Sequence, residues 1–344
     1  MSSSDFRRRL YRHGGDDAPP NTKRARRGKK QKHLYLVIDD WEMGYSIHKL
    51  DVDRFESDAG GGGGNKLRRH PEPPALRIEA PADRSPAILA SLGSKIFFIT
   101  DRFSDEAPML IYDTDTASLA AGPPATPALR PVGNIFFVPV DDRRLYAFNP
   151  RRGDHQRCSF EVLSSAPRDA EDEYRLSRRA VRWSVASVPA PTPLDKDELV
   201  TAYAAHPDGR TIFVSARNRW GQPHGPREQG GTWSFDTRSS AWAWHGEWQL
   251  PFLDQGHYVE ELDAWVGLRR DGVLCSCDVA SRGGTAARPP ESKLGRETMF
   301  READRNRRVG APTGATLTYM GGGRFCLVEC AARQGLAESQ WWMP

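Results

Sequence analysis

Two histidines sit close in sequence to carboxylates: His206 two residues before Asp208, and His257 six before Asp263. A histidine beside an acid is the usual pairing for proton transfer, because imidazole changes charge near neutral pH. No G-x-S-x-G nucleophile accompanies them, and histidines are common in turns, so no catalytic residue is assigned. Cys275 and Cys277 flank Ser276, and Cys326 precedes Cys330 by four. Structural zinc usually takes cysteines two to four apart on a turn. A one-residue gap inside a strand instead puts both thiols on one face, as small buried residues. Metal and cofactor are therefore both read as none. Asp39, Asp40, Asp113 and Asp115 would suit a central cation, but turn capping accounts for them more simply. Gly60–Gly64 lacks the Lys-Ser/Thr of a phosphate loop, which argues against nucleotide binding.

The elements that would hold these residues show themselves as a repeat. Gly93, Gly133, Gly209 and Gly323 each stand just ahead of a dense apolar run: Ile96–Ile99, Ile135–Val138, Ile212–Val214 and Phe325–Val328. The spacings approximate multiples of one unit, about 38 residues, the length of a propeller blade. Continuous apolarity fits strands covered on both faces. A second recurring element ends in a turn residue: Leu110–Thr114, Leu145–Pro150, Trp233–Thr237 and Leu274–Asp278. There Asp or Asn can accept from the backbone N–H two residues on and start the turn. Segment 281–310 is polar, with few strand signals. The expected fold is all-β, a single β-propeller over 33–344, with six blades favoured and five to seven admissible. Its ring is closed by N- and C-terminal strands together.

Residues 1–32 differ in kind. They carry eleven Lys/Arg against three Asp, so the remaining chain is net −4 although the total is +4. Too polar to bury a core, this segment is expected to be a disordered basic leader. Its run Lys23, Arg24, Arg26, Arg27, Lys29, Lys30 has the composition of a nuclear-import signal, with an import receptor as partner. Nucleus and/or cytoplasm is the expected location. Asp5, Asp16 and Asp17 weigh against an organelle transit peptide. The acidic body disfavours nucleic acid as a partner through that body. No apolar run is long enough for a membrane span, and the odd count of five cysteines fits a reducing compartment.

The segments H-L-Y-L-V-I-D-D-W (33–41), H-P-D-G-R-T-I-F-V-S (206–215), G-T-W-S-F-D-T (231–237) and L-D-A-W-V-G-L (262–268) resemble a plant family, best known from grasses, called domain of unknown function 1618. The resemblance runs from residue 33 onward. It implies a plant source and a propeller related to kelch-like and F-box-associated repeats. It implies no reaction, since that family has no assigned activity.

Of the tryptophans, Trp233, Trp242, Trp244 and Trp265 fall in strand patterns and belong to a core. Trp41, Trp220, Trp341 and Trp342 fall in loops or near the terminus, where an aromatic anchor can bind a protein partner. The function expected is a protein-interaction scaffold without catalytic activity. The rival is a propeller-type hydrolase or lactonase with a central acidic/His site. That rival needs at least three of Asp39, Asp40, Asp113, His206, His257 and Asp263 to converge on one point.

Overall fold

The computed structural model describes residues 33–39, 44–52, 72–79, 87–99, 107–126, 129, 135–149, 159–166, 182–190, 192–194, 198–218, 230–283, 288–299 and 315–329. The basic leader, Asp40, Gly60–Gly64, Cys158, Cys330, Trp41, Trp220, Trp341 and Trp342 lie outside these. Among the described residues the chain is all-β, interrupted by 3-10 turns at Glu260–Leu262 and at Leu129 and by no α-helix.

The strands fall into consecutive antiparallel meanders. The first is β1 (His33–Asp39), β2 (Tyr45–Asp51) and β3 (Leu76–Ile78). The second is β4 (Ile88–Leu92), β5 (Lys95–Ile99), β6 (Pro108–Asp113) and β7 (Ser118–Pro124). The third is β8 (Phe136–Asp141), β9 (Arg144–Asn149), β10 (Ser159–Ala166) and β11 (Arg182–Ser187). The fourth is β12 (Glu198–Ala205), β13 (Thr211–Asn218), β14 (Gly231–Asp236) and β15 (Ala241–Gly246). The fifth is β16 (Leu253–Val259), β17 (Ala264–Leu268), β18 (Val273–Asp278) and β19 (Ser292–Thr298). A hairpin of β20 (Ala315–Gly321) and β21 (Arg324–Glu329) follows as a separate sheet.

Side-chain alternation explains why these meanders stack. Successive residues of a strand face opposite ways, so an unbroken apolar strand supplies two cores at once. In β5, Ile96 and Phe98 pack with Tyr45 and Ile47 of the first meander. Phe97 and Ile99 instead join Leu145, Ala147 and Leu163 of the third. In β9, Tyr146 and Phe148 turn the other way, onto Val200, Val214 and Phe235 of the fourth. In β13, Ile212, Val214 and Ala216 face back to the third meander, while Phe213 faces Trp265, Cys275 and Cys277 of the fifth. Each core therefore lies between consecutive meanders. The first strands lie side by side, β4 against β8 and β8 against β12. β12 pairs in parallel with β16, which joins the fourth and fifth meanders into one eight-stranded sheet.

The repeating glycines do not all mark one position. Gly93, Gly209 and Gly323 have φ of 57°, 68° and 68° and turn the chain from the first strand of a unit to the second. Gly133 lies outside the described residues, ahead of β8, which is itself a first strand. The run Ile135–Val138 is thus not the counterpart of Ile96–Ile99. The spacing of 40 between their glycines mixes two positions of the unit. The polar stretch 281–310 also holds a strand, β19, exposed along its whole length. It forms the outer edge of its meander, where pairing with β18 sets the conformation and no apolar pattern is needed.

Candidate functional site

Five of the polar candidates are each engaged with separate partners. Asp113 accepts from Lys95 Nζ (3.0 Å), Ser94 Oγ (3.0 Å) and the Asp115 N–H (3.1 Å). Burial alone would raise its pKa, but these bonds hold it at about 2. Asp208 receives the backbone N–H of Arg210 (3.0 Å) and Thr211 (2.9 Å) and the Thr211 hydroxyl (2.7 Å). Arg282, after β18, reaches the same carboxylate at 3.2 Å and so ties the fifth meander to the fourth. Against the same opposing effect of burial, Asp208 is lowered to about 2. His206 Nδ1 accepts the Asp208 N–H (3.1 Å), and burial lowers the ring's pKa. Asp263 accepts the Tyr258 hydroxyl (2.8 Å). His257 Nε2–H donates to the Leu317 carbonyl (3.1 Å), with its pKa also lowered by burial. Asp39 ends β1 in the first meander, and Asp40 lies outside the described residues.

The thiols behave as strand parity requires. Cys275 and Cys277 are both 2 % exposed in the core between the fourth and fifth meanders. Burial raises them to about 11 and about 12, and Cys275 Sγ–H points to the Pro251 (3.6 Å) and Gly267 (3.7 Å) carbonyls. Among the described residues no three His, Cys, Asp or Glu gather as a metal set. Trp233 and Trp265 are buried, and Trp242 and Trp244 half-buried.

The least ordinary local geometry is in β16, at a residue the sequence reading passed over. Leu253 pairs with Leu268 and His257 with Val266. Asp254, Gln255 and Gly256 therefore face Gly267 alone, a bulge that bends the strand away from β17. The three released residues pair in parallel with Ala202, Tyr203 and Ala204 of β12. The ring of Phe252, 3 % exposed, fills the bulge, and a Cβ on either Gly256 or Gly267 would overlap it. Asp254 has φ 55°, a left-handed conformation that Asp tolerates better than most residues.

This bulge brings Asp254 to the wall of an open hollow of about 120 Å³ between β12, β16 and β20. Tyr203, Leu253, Gln255, Leu268, Arg269, Ala315, Thr316 and Leu317 complete the lining. Asp254 is an exposed residue of the strand, although the protein atoms around its carboxyl raise its pKa. No hydrogen bond or ion pair engages it among the described residues. Burial, then the nearby Asp254 charge, pushes up the Tyr203 hydroxyl. Arg269 is already engaged with Asp271, by Nη2 at 3.0 Å and Nε at 3.2 Å. The His257–Leu317 bond, with Tyr319 and Phe325 packed near the imidazole, holds β20 against the hollow. One sequence signal was available: D-Q-G interrupts an apolar strand, and a strand glycine often marks a bulge.

Solved structures similar to this chain include TolB from Acinetobacter baumannii, at 11 % identity and TM-score 0.37, covering 72 % of this chain and 50 % of that one. The β-propeller domain of Cps50 (Swd1) from Myceliophteria thermophila is another, at 10 % identity and TM-score 0.34, covering 76 % and 67 %. The chain thus spans half the length of the TolB chain it matches. No curated protein matches the sequence. A family model does match, from residue 31 to 341, and it is not the 1618 family that the motifs resemble. With every described strand inside that match, the chain belongs to the family described as protein of unknown function DUF1668.

Proposed function

We propose that the chain is a protein-interaction scaffold built on a six-bladed β-propeller. In this reading the five meanders and the β20–β21 hairpin are the blades, and the hairpin meets β1–β3 to close the ring. The observation that carries the proposal is how the reactive side chains are engaged. Asp113, Asp208 and Asp263 each cap or brace a turn, and His206 and His257 each hold neighbouring backbone. Such residues fix loops and join units, and a rigid stack of sheets with varied loops is a common platform for partner binding. The partner is a protein met by loop aromatics, with Trp220 the first candidate and Trp41, Trp341 and Trp342 the others. The basic leader supports entry to the nucleus through an import receptor.

Proximity labelling with the full chain in its source tissue identifies the partner. Trp220→Ala is then expected to weaken that partner by about 2 kcal/mol or more, with an unchanged melting temperature. The reading fails if purified protein turns over an ester or lactone and loses that activity on His206→Ala or His257→Ala. A reporter carrying residues 1–32 is expected in nuclei, and to leave them when Lys23, Arg24, Arg26 and Arg27 become Ala. A reporter found in mitochondria or plastids would refute the import assignment.

A further inference from the structure

The seam between the fourth and fifth meanders is packed around Phe213, whose ring lies 5.3 Å from Trp265, 6.0 Å from His206 and 4.9 Å from His245. The two histidines are held differently. His206 stands at the β12–β13 turn with Nδ1 3.2 Å from the Asp208 carboxylate, which also receives Arg282. His245, in β15, is 1 % exposed. Its Nε2 meets Ser234 Oγ at 2.8 Å, and its Nδ1 is buried with no hydrogen-bond partner among the described residues. A neutral ring tolerates this, because its bare nitrogen is an acceptor left unused. A protonated ring has two N–H donors, and Ser234 can accept only one of them. The elements packed here turn uncharged groups into the seam: Phe213 and Ser215 from β13, Thr232 and Ser234 from β14, Trp248 from the link to β16, and Trp265, Cys275 and Cys277 from β17 and β18. The nearest charges lie elsewhere. Asp208, Arg210 and Arg282 gather about His206, and Glu247 and Asp278 are exposed. Burial therefore acts alone on the His245 pKa, and lowers it.

We propose that His245 makes this seam proton-sensitive: a proton on its ring opens the fifth meander from the fourth, and loss of the proton lets the seam close. A lone imidazolium among apolar side chains, with one N–H unanswered, is costly until water reaches it. His206 is not the trigger, since Asp208 beside it answers its charge. The direction with pH is fixed by the two states of His245. In the open seam the ring takes its proton near pH 6.5, and in the closed seam only at lower pH. The closed seam is therefore at full strength above that value and weakens as pH falls below it. Opening bares Cys275 and Cys277, each 2 % exposed in this core. The device is independent of the loop surface proposed above.

The two thiols report the opening. The native full chain is labelled with dithiodipyridine, which reacts with thiols in mild acid, at steps from pH 8 to pH 5. The peptide carrying Cys275 and Cys277 is followed by mass, and its rate is divided by that of a free cysteine peptide at the same pH. This ratio is expected to be level from pH 8 to pH 6.5 and then to rise, by at most about tenfold per pH unit, the limit for one proton. His245→Gln can still bond Ser234 but takes no proton, so its ratio is expected to stay level throughout. His245→Phe with Ser234→Ala removes both polar partners and gives the same reading should the amide variant fold poorly. His206→Gln and His257→Gln are expected to keep the rise. Amide exchange in β5, corrected for its intrinsic pH dependence, is expected to stay constant, which separates a local seam from unfolding of the chain. The proposal is overturned if the wild-type ratio stays level to pH 5, if both His245 variants rise as wild type does, if His206→Gln or His257→Gln abolishes the rise, or if β5 opens in step with the thiols.

Discussion

Replacing Asp208 with Asn tests how the units are joined. The carboxylate caps the β12–β13 turn through Arg210 N–H, Thr211 N–H and the Thr211 hydroxyl, and receives Arg282 from the next meander. Asparagine is nearly the same shape but loses the charge and one of the two acceptor oxygens. Lowering a carboxyl from 3.8 to about 2 corresponds to roughly 2 kcal/mol of folding free energy. The turn lies near the surface, where water screens part of the interaction, so about 1 to 2 kcal/mol is expected from the full chain. The sign with pH is definite. A folded pKa below the unfolded one contributes stability that is complete above pH 3.8 and disappears as pH falls toward about 2. Urea unfolding of wild type and Asp208→Asn at neutral pH, then at steps from pH 5 to pH 2, reads both quantities. The variant should have the lower midpoint at neutral pH, and the gap should close on acidification. A midpoint equal to wild type at pH 7, or a gap that persists at pH 2, would refute the reasoning. In the first case the capped turn would be dispensable, and in the second the charge would not be its source.

Two further outcomes follow from packing. Gly231→Ala should cost about 2 to 4 kcal/mol, because a Cβ there meets the Trp244 ring and the Gly246 carbonyl, which is fixed backbone. Gly93→Ala, with open space around a φ of 57°, should cost only about 1 kcal/mol, and comparable losses at both sites would contradict the contact seen at Gly231. Cys275 and Cys277 should resist a thiol reagent at pH 8 in the folded protein and react once unfolded in urea, because burial sets their pKa near 11 and 12. Labelling of that peptide in the native state at the rate of a free thiol would show that this core opens.

Much of the architecture was legible along the chain, because strands that serve two cores must be apolar at every position. Runs such as Ile96–Ile99 and Ile212–Val214 announce that double burial whatever surrounds them. Turn chemistry was legible for the same local reason. Asp113 and Asp236 accept from backbone N–H groups two residues on, at 3.1 Å and 2.8 Å, as an aspartate ending a strand can do anywhere. Only the tertiary structure decided the rest. The exposed strand β19 has no apolar pattern, since an outer edge takes its conformation from the strand it pairs with. Gly133 and Gly93 look alike in sequence, although they belong to different positions of the unit. Asp254 carries no motif, and its environment comes from the preceding meander and from a hairpin about sixty residues further on. Local patterning records what a residue does within its own strand; a hollow shared by three separate units is written in no one of them.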